Sequence, residues 1–454
     1  MTVEVHRLQD ASGFTGHADR VFTPASEAEV VEILREASRQ SIAVTVAGSW
    51  TGLTGGAIPQ GGWSLSMARM NRLEIVPARA IAGPGVLLRD LQAAAAASGQ
   101  FYAPDPTEIT ASVGGTIATN ASGSRSFRYG DTRRHVLALR VALMDGRVLS
   151  ARRGEAIDFP VAAIPLPGTT KHTAGFRLRP GMDWVDLFVG SEGLLGVVTE
   201  AELQLLPTPA ELLGGVIFFP DDGRALDAVE QWRSIDGLRM IEYFDRGALD
   251  LTGERPARAE AALLIEHEMR QDSDLDRWQQ RLEASGALAE ECWFAFDDRD
   301  RERFRQFRHS VPERVNDIVR RNGFLKVGSD YAVPAVRNRE MLDFYRRRLE
   351  EEFCGSYVIF GHIGDAHVHV NILPRTQEEF DRARELMVEF ARRAVQLGGT
   401  VSAEHGLGKR KAYLLAIQYG EAEIEAMRSV KRRLDPQWLL GAGNLFPPAG
   451  PSGI

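Results

Sequence analysis

Between Gly361 and Asn371 the chain reads Gly-His-Ile-Gly-Asp-Ala-His-Val-His-Val-Asn, eleven residues with three histidines, an aspartate and an asparagine in otherwise apolar surroundings. Val and Ile favour pleated backbone and Gly364-Asp365 tolerates turn dihedrals, which predicts a turn between two short strands, Tyr357–His362 and His367–Leu373. Side chains on a strand alternate faces, so His367 and His369 share a face, and a four-residue loop sets His362 opposite His367 on it. Several imidazoles can then converge on one metal ion. A second polar island, Ala403-Glu-His-Gly-Leu-Gly408, offers a carboxylate, and imidazoles plus a carboxylate with an open position form a ligand set for a catalytic divalent metal. A lone histidine is more often an ordinary surface or hydrogen-bonded core residue, but four of the ten histidines fall in these two segments.

A chain of 454 residues is too long for one ordinary core and implies two or three domains. With 62 acidic against 54 basic residues, a net charge of −8 argues against nucleic acid as a partner. Met1-Thr-Val-Glu-Val-His-Arg lacks a charged-then-apolar signal segment. Apolar runs such as Leu91–Ala97 fall far short of the roughly 18 residues of a transmembrane span. A cytoplasmic protein is expected, with peripheral attachment to a membrane left open. Cys292 and Cys354, the only cysteines, can build neither a disulfide framework nor a four-thiolate iron–sulfur cluster. Any electrons must travel by another carrier.

Ser26 can cap a helix in which Val30, Ile33, Leu34 and Ala37 recur at helical spacing, and a strand, Ile42–Val46, follows. Next comes Ala47-Gly-Ser-Trp-Thr-Gly-Leu-Thr-Gly-Gly-Ala57. So many glycines after a strand mean positive φ angles or close approach to something bulky, and exposed N–H groups in such a loop form a nest for a phosphate. A Rossmann loop is excluded, because Gly83-Pro84-Gly85 is followed by Leu88 where the third glycine belongs, and no Gly-Lys-Ser/Thr loop occurs. A second cluster, Ser112 to Gly123, follows Ala103-Pro-Asp-Pro106. Its small side chains admit a flat or extended ligand to the main chain, while Thr116, Thr119, Asn120 and Ser122 offer neutral hydrogen bonds. A third glycine-rich run, Leu187 to Thr199, feeds a strand ending near Leu206.

Gly52-Leu-Thr-Gly-Gly56, Asp105-Pro106, Gly114-Gly-x-Ile-Ala-Thr-Asn120, Tyr129-Gly130 with Thr132-Arg133-x-His-Val136, and Gly190-Ser-Glu-Gly-x-x-Gly196 closely resemble the flavin-binding half of the vanillyl-alcohol-oxidase-like flavoproteins. Gly361-His-x-Gly-Asp-x-x-x-His-x-Asn371 and Glu404-His-Gly-x-Gly408 are similar to the signature of the branch that oxidises D-2-hydroxy acids: D-lactate dehydrogenase, the glycolate oxidase D subunit and D-2-hydroxyglutarate dehydrogenase. The resemblance implies an α+β fold. A PCMH-type FAD-binding domain of two α+β subdomains would occupy residues 1–207, and a cap built on an antiparallel sheet flanked by helices residues 208–454, its last ~50 residues returning toward the flavin domain.

It also implies FAD held by Gly48, Ser49, Thr51, Gly52 and Leu53, by Pro104 and Asp105, by Gly114, Gly115, Ala118, Thr119, Asn120 and Gly123, and by Gly190, Glu192, Gly193, Gly196 and Val197. Where the family usually reads Arg-Gly-Gly-Gly-Thr, this chain has Ala47-Gly-Ser-Trp-Thr51, which places Trp50 in the pyrophosphate loop. No histidine lies in that loop, so the FAD is expected to be non-covalent.

From about Pro207 to Phe353, strands such as Val216–Phe219 and Ala262–His267 alternate with charged helices such as Asp300–His309, which Pro312 is expected to end or kink. Arg305 and Arg308 lie three apart on one helix face and Lys326 follows on a strand; such cations suit a substrate carboxylate, and the resemblance matches Arg308 to a substrate-binding arginine. Glu378–Gln396 reads as an amphipathic packing helix.

Oxidising a 2-hydroxy acid requires removal of the hydroxyl proton and of the hydride on the same carbon. On the resemblance, a divalent metal, zinc or manganese, held by His362, His369 and Glu404 lowers the hydroxyl pKa, His405 takes the proton, and the flavin accepts the hydride. Asn371 would orient the substrate or a ligand. His367 stands where the family usually has asparagine, and is open between a further ligand, a substrate contact and a bystander. The expected activity is an FAD- and metal-dependent dehydrogenase for a D-2-hydroxy acid of the D-lactate, glycolate or D-2-hydroxyglutarate type. The acceptor is left open among a quinone, an electron-transfer flavoprotein, a cytochrome and a partner subunit, as is a homodimer. The alternatives are a flavoprotein subunit of a glycolate oxidase-type complex, a non-redox enzyme like alkylglycerone-phosphate synthase, and a metal-dependent hydrolase.

Overall fold

The computed structural model describes residues 6–271 and 273–446. The first five residues, part of the segment read as lacking a signal, lie outside them. The helix Glu27–Arg39 starts as its sequence predicts, the Ser26 hydroxyl accepting the Glu29 N–H at 3.3 Å, and Val30, Leu34 and Ala37 are its buried face. It lies beside two sheets. One has three parallel strands, Arg20–Phe22, Trp63–Ser66 and Val44–Ala47, with Trp63–Ser66 in the middle. The other is antiparallel, in the order Val148–Arg152, Val136–Ala142, Val197–Gln204, Arg79–Ala82 and Leu73–Val76. Along Val197–Gln204 buried and half-buried residues alternate strictly, the pattern of a strand with one face in the core.

The second half is built on a seven-stranded sheet in the order Trp293–Ala295, Leu212–Phe219, Ala261–Glu268, Leu238–Asp245, Tyr357–Gly361, His369–Ile372 and Val327–Gly328, every neighbour pair antiparallel. Both faces are covered, which explains the nearly continuous burial of strands such as Leu212–Phe219 and Leu238–Asp245. Leu213, Ile217 and Phe219 join one core with Trp232 and Trp278 of the helices Asp222–Trp232 and Ser273–Ser285. Val216 and Phe218 join another with Leu249 of Arg246–Thr252 and Phe304, Phe307, Val311 and Val315 of Asp298–Arg321.

Of the two outcomes expected at Pro312, an end of the helix does not occur, since that last helix runs through the proline to Arg321. A proline inside a helix costs about 3 kcal/mol or more, but the apolar stripe from Phe304 to Val315 spans it and is buried on the sheet, so tertiary packing overrides the local break.

The histidine hairpin has the expected register: Phe360 pairs with His369, and beyond the last pair the His367 N–H donates to the His362 carbonyl at 3.1 Å. Its second strand is shorter than expected, His369–Ile372, and the turn is a 3-10 turn, Ile363–Asp365. The left-handed residue is Ala366, φ 52°, and not Gly364 or Asp365. Gly364 is needed for space, because a Cβ there would lie 2.9 Å from the Phe127 ring. Asp365 ties the turn to the first half by accepting from Ser126 Oγ at 2.9 Å and Thr170 Oγ1 at 2.7 Å.

The end of the chain returns to the first half. Val44 donates to Leu439 O at 2.7 Å and accepts from Gly441 N–H at 2.9 Å, and Leu439 and Leu440 pack with Val30, Leu34 and Val44. The buried Lys431 ammonium donates to Leu194 O at 2.7 Å, and the Asn444 amide to Gly56 O at 3.0 Å and Glu192 O at 3.1 Å. No helix among the described residues is long and apolar enough to cross a membrane.

Candidate active site

Three segments of the first half meet where the sequence places a flavin. The strand Val44–Ala47 runs into the first glycine loop, where Gly48, Ser49, Thr51 and Leu53 are half-buried and Gly52 exposed. Trp50 takes the left-handed region, φ 62°. The loop abuts the start of the helix Val113–Thr119, because a Cβ on Gly48 would sit 2.1 Å from the Ser112 hydroxyl that caps that helix. Val113, Thr116 and Ile117 are buried, whereas Gly114, Gly115, Ala118 and Thr119, on the other face, are half-open and small.

The two glycines of that face have different reasons. A Cβ on Gly114 would meet Pro84 Cβ at 2.6 Å, but one on Gly115 meets only Ser112 Oγ, at 3.1 Å. Gly115→Leu should therefore fold with a near-normal melting temperature yet purify with most of its flavin missing. Gly114→Leu should instead lose about 1–3 kcal/mol of stability by overpacking. The flavin-to-protein absorbance ratio and a thermal melt check both, and full flavin in Gly115→Leu would remove this face from the cofactor site.

Several residues expected at the cofactor hold the loops together. The Asn120 amide donates to Asp131 at 2.7 Å and accepts the Arg133 N–H at 2.8 Å. Asp105, after the buried Pro104, accepts from Ser124 Oγ and from the Arg125 N–H, both at 2.9 Å, and Gly123 passes so close that a Cβ would lie 2.3 Å from Asp105 O. In the third run, the Gly190 and Glu192 N–H groups donate to Ile117 O and Ala118 O at 2.9 and 2.8 Å, and Gly193 has φ 72°. Gly196 faces inward, where a Cβ would meet Val141 at 2.4 Å, and Val197 is buried in the core, so these two can reach a cofactor only by main chain. The Glu192 carboxylate accepts the Leu407 N–H at 2.9 Å and the Gly408 N–H at 2.6 Å. Burial pushes its pKa up to about 7 in spite of those two donors.

Those bonds latch the flavin loop to the segment carrying Glu404 and His405, and here the imidazoles gather. His362 Nε2 lies 3.2 Å and His369 Nε2 3.3 Å from Glu404 Oε1, with His405 Nε2 3.7 Å from the same oxygen. The ligand atoms of His362, His367, His369 and Glu404 all lie within 4.8 Å of one another, as do those of Asp330, His369, Glu404 and His405.

Each outer atom is engaged, which turns the inner one toward the centre. Glu404 Oε2 accepts from Lys171 Nζ at 3.2 Å and Ser122 Oγ at 3.0 Å. His362 Nδ1 faces Glu242 Oε1 at 2.6 Å, and His369 Nδ1 donates to Ser329 O at 3.1 Å. An imidazole fixed through one nitrogen by a carboxylate or carbonyl is the arrangement of a metal ligand, so these donors fit a divalent cation. Burial opposes charge on His362, but Glu242 and Glu404 override it and lift its pKa to about 9, the mark of a site rich in negative charge.

His405 has Asp330 behind it, Nδ1 to Oδ1 3.5 Å, and the buried Asp330 also accepts from Ser402 Oγ at 2.7 Å and the His405 N–H at 2.9 Å. Burial outweighs these charges and lowers the His405 pKa to about 4, so the ring is neutral at pH 7.

The expected substrate cations are not one clamp. Arg308 Nε is bonded to Glu242 Oε2 at 2.8 Å and its NH1 group to Thr107 Oγ1 at 3.1 Å, so it braces Glu242 and hence His362. Arg305 faces solvent, paired with Glu302. Lys326 makes no ion pair among the described residues, and burial, with Lys411 nearby, lowers its pKa to about 8. Asn371 is buried on the same strand face as His369, its amide 3.5 Å from His369 O.

Sequence reasoning missed Glu242, Lys171, Asp330 and the partnership of Ser122 with Glu404. The available signal was an acid among mostly apolar neighbours, Glu242 between Met240-Ile241 and Tyr243-Phe244 and Asp330 in Val-Gly-Ser-Asp-Tyr-Ala-Val333, because fully buried charges need partners.

Compared with known proteins, residues 18–152 match the "FAD binding domain" family and residues 209–445 match "FAD linked oxidases, C-terminal domain". The chain is 32% identical over 438 residues to a D-lactate dehydrogenase of Archaeoglobus fulgidus, covering 94% of this chain and 90% of that protein. It is 29% identical over 451 residues to the glycolate oxidase subunit GlcD of Bacillus subtilis, covering 94% and 89%. A solved alkyldihydroxyacetonephosphate synthase shares the fold, with a TM-score of 0.68 at 17% identity over 94% of this chain and 76% of that one.

Proposed function

The chain belongs to the FAD linked oxidases, a family of FAD-dependent oxidoreductases, and on that premise we propose that it oxidises a D-2-hydroxy acid to the 2-oxo acid with the help of a divalent metal. The observation that carries the reading is Glu404 Oε1 facing the Nε2 atoms of His362 and His369 at 3.2 and 3.3 Å, with the neutral His405 beside them. When bound, FAD supplies the hydride acceptor, and zinc or manganese the Lewis acid that lowers the hydroxyl pKa.

His362, His369 and Glu404 hold the metal, while Lys171 and Ser122 keep the carboxylate turned toward it and Glu242, braced by Arg308, fixes the His362 ring. His405 accepts the hydroxyl proton at Nε2, with Asp330 at Nδ1 to stabilise the imidazolium that forms. Arg308 and Lys326 bias the cleft toward an anionic substrate, and Asn371 steadies the strand that presents His369. The D-lactate and glycolate names of the relatives support the substrate class, and the GlcD name supports a role as a complex subunit as the second reading. The likeness to the synthase concerns the fold alone, and the histidine–glutamate cluster supports the redox branch over it. The flavin-binding half is assigned to residues 1–207 and the cap to 208–454, in a cytoplasmic protein.

Anaerobic flavin bleaching with a panel of D- and L-2-hydroxy acids tests this. Bleaching by at least one D acid and not by its L form is expected. No bleaching by any 2-hydroxy acid in metal-replete, FAD-replete protein, alone or with co-purified partners, would reject the reading.

A further inference from the structure

We infer that His367 is a fourth protein donor to the metal, making the site three imidazoles and one carboxylate. The inference rests on the metal-dependent reading above and adds to it a residue of this chain.

His367 is fully buried, and neither ring nitrogen has an aligned hydrogen-bond partner among the described residues. Nε2 lies 3.2 Å from Asp330 Oδ1, a charge contact that falls short of an aligned hydrogen bond and leaves the ring without a well-directed partner. Two imidazoles of the cluster have a hydrogen-bonded outer partner, Glu242 for His362 and Ser329 O for His369, and the more exposed ring of His405 has Asp330 at 3.5 Å. A buried imidazole without one is exceptional, and a cation within reach is the partner it lacks. Reach is given by the cluster itself, since the His367 donor lies within 4.8 Å of those of His362, His369 and Glu404.

The other two roles fit less well. Side-chain exposure falls from 23% at His405 through 14% at His369 and 13% at Glu404 to 4% at His362 and 0% at His367. A substrate entering beside His405 meets His367 last, so the ring stands behind the metal position and not against the substrate. The backbone that carries the ring is fixed on both sides: the His367 N–H bonds His362 O at 3.1 Å, Val333 N–H bonds Ala366 O at 3.1 Å, and Ala332 bridges to His367. A fourth donor at the buried end of the cluster would leave the more exposed His405 side for the substrate hydroxyl.

The test uses FAD-loaded wild type, His367→Asn and His367→Phe, stripped of metal by chelator and refilled with cobalt(II). Phe keeps the ring and removes the donor; Asn keeps polarity beside Asp330 and decides should the Phe variant not fold, flavin absorbance being the folding check. Both variants should bind cobalt more weakly by more than about 10-fold, the least that loss of even an outer-shell partner costs. Their visible cobalt absorption should also differ from wild type in position and intensity. Wild-type affinity together with a superposable cobalt spectrum in a folded variant overturns the assignment of His367. FAD-loaded wild type that binds no metal overturns the metal-dependent reading itself.

Discussion

Alanine at His405 is expected to leave FAD and metal in place and to slow flavin reduction by about 10²–10⁴-fold, the usual worth of a positioned general base. The geometry separates this residue from its neighbour. Glu404 puts Oε1 among the imidazoles, whereas His405 stands at the open rim, Nε2 3.7 Å from that oxygen and Nδ1 backed by Asp330. The loop should survive the change, because the bond from residue 405 to Asp330, 2.9 Å, is made by the backbone N–H, and the Glu192 bonds to Leu407 and Gly408 do not involve the ring. Rapid mixing under anaerobic conditions isolates the reductive step from the acceptor. A rate within a few-fold of wild type would exclude His405 as the essential base, and equal reduction of wild type by the L and D forms would reject the stereochemical assignment.

Glu404→Ala and His369→Ala are expected to abolish turnover by a different route, loss of the metal with retention of the flavin spectrum. Removing one of the proposed donors takes away an oxygen or nitrogen at the centre of the cluster. For Glu404 the loss is compounded: Lys171 Nζ, buried and held by that carboxylate at 3.2 Å, would keep Asp365, 3.6 Å away, as its ion-pair partner and would place an imperfectly compensated ammonium beside the cation site. Glu404→Gln guards against misfolding, since it keeps the shape and one acceptor oxygen for Ser122 and Lys171. Metal analysis of protein purified without chelator is the measurement. Full metal content in both Glu404→Ala and His369→Ala, with folded flavoprotein, would refute the ligand assignment.

What the sequence made legible was local. The hairpin register followed from alternation and loop length, and the helix start at Ser26 and the half-open face at Gly114 and Gly115 from residue type and spacing. The partners that orient the ligands were not legible, because they come from far along the chain: Glu242 lies 120 residues from His362, Lys171 lies 233 from Glu404, and Ser122 lies 282 from Glu404. No local period encodes such pairs. Spacing put Arg305 and Arg308 on neighbouring turns of one helix, but only packing decided that Arg308 would be drawn inward to Glu242 while Arg305 stayed in water. Ala366 shows the converse, a non-glycine residue held at positive φ by the pairing around it, where the rules of turn chemistry had favoured its neighbours.

The return of the chain's end to its beginning also bears on how the protein is made. Domains of a nascent polypeptide generally fold in the order in which they leave the ribosome. Here the loop at Gly56, the run around Glu192 and the strand starting at Val44 are closed by Leu407, Gly408, Lys431, Leu440 and Asn444, which are synthesised well after them. The first half therefore cannot complete its glycine loops by itself, and the second half has to be folded against it first. A product that stopped short of Leu407 would lack the two N–H donors that hold the Glu192 carboxylate, although every glycine loop had already been translated.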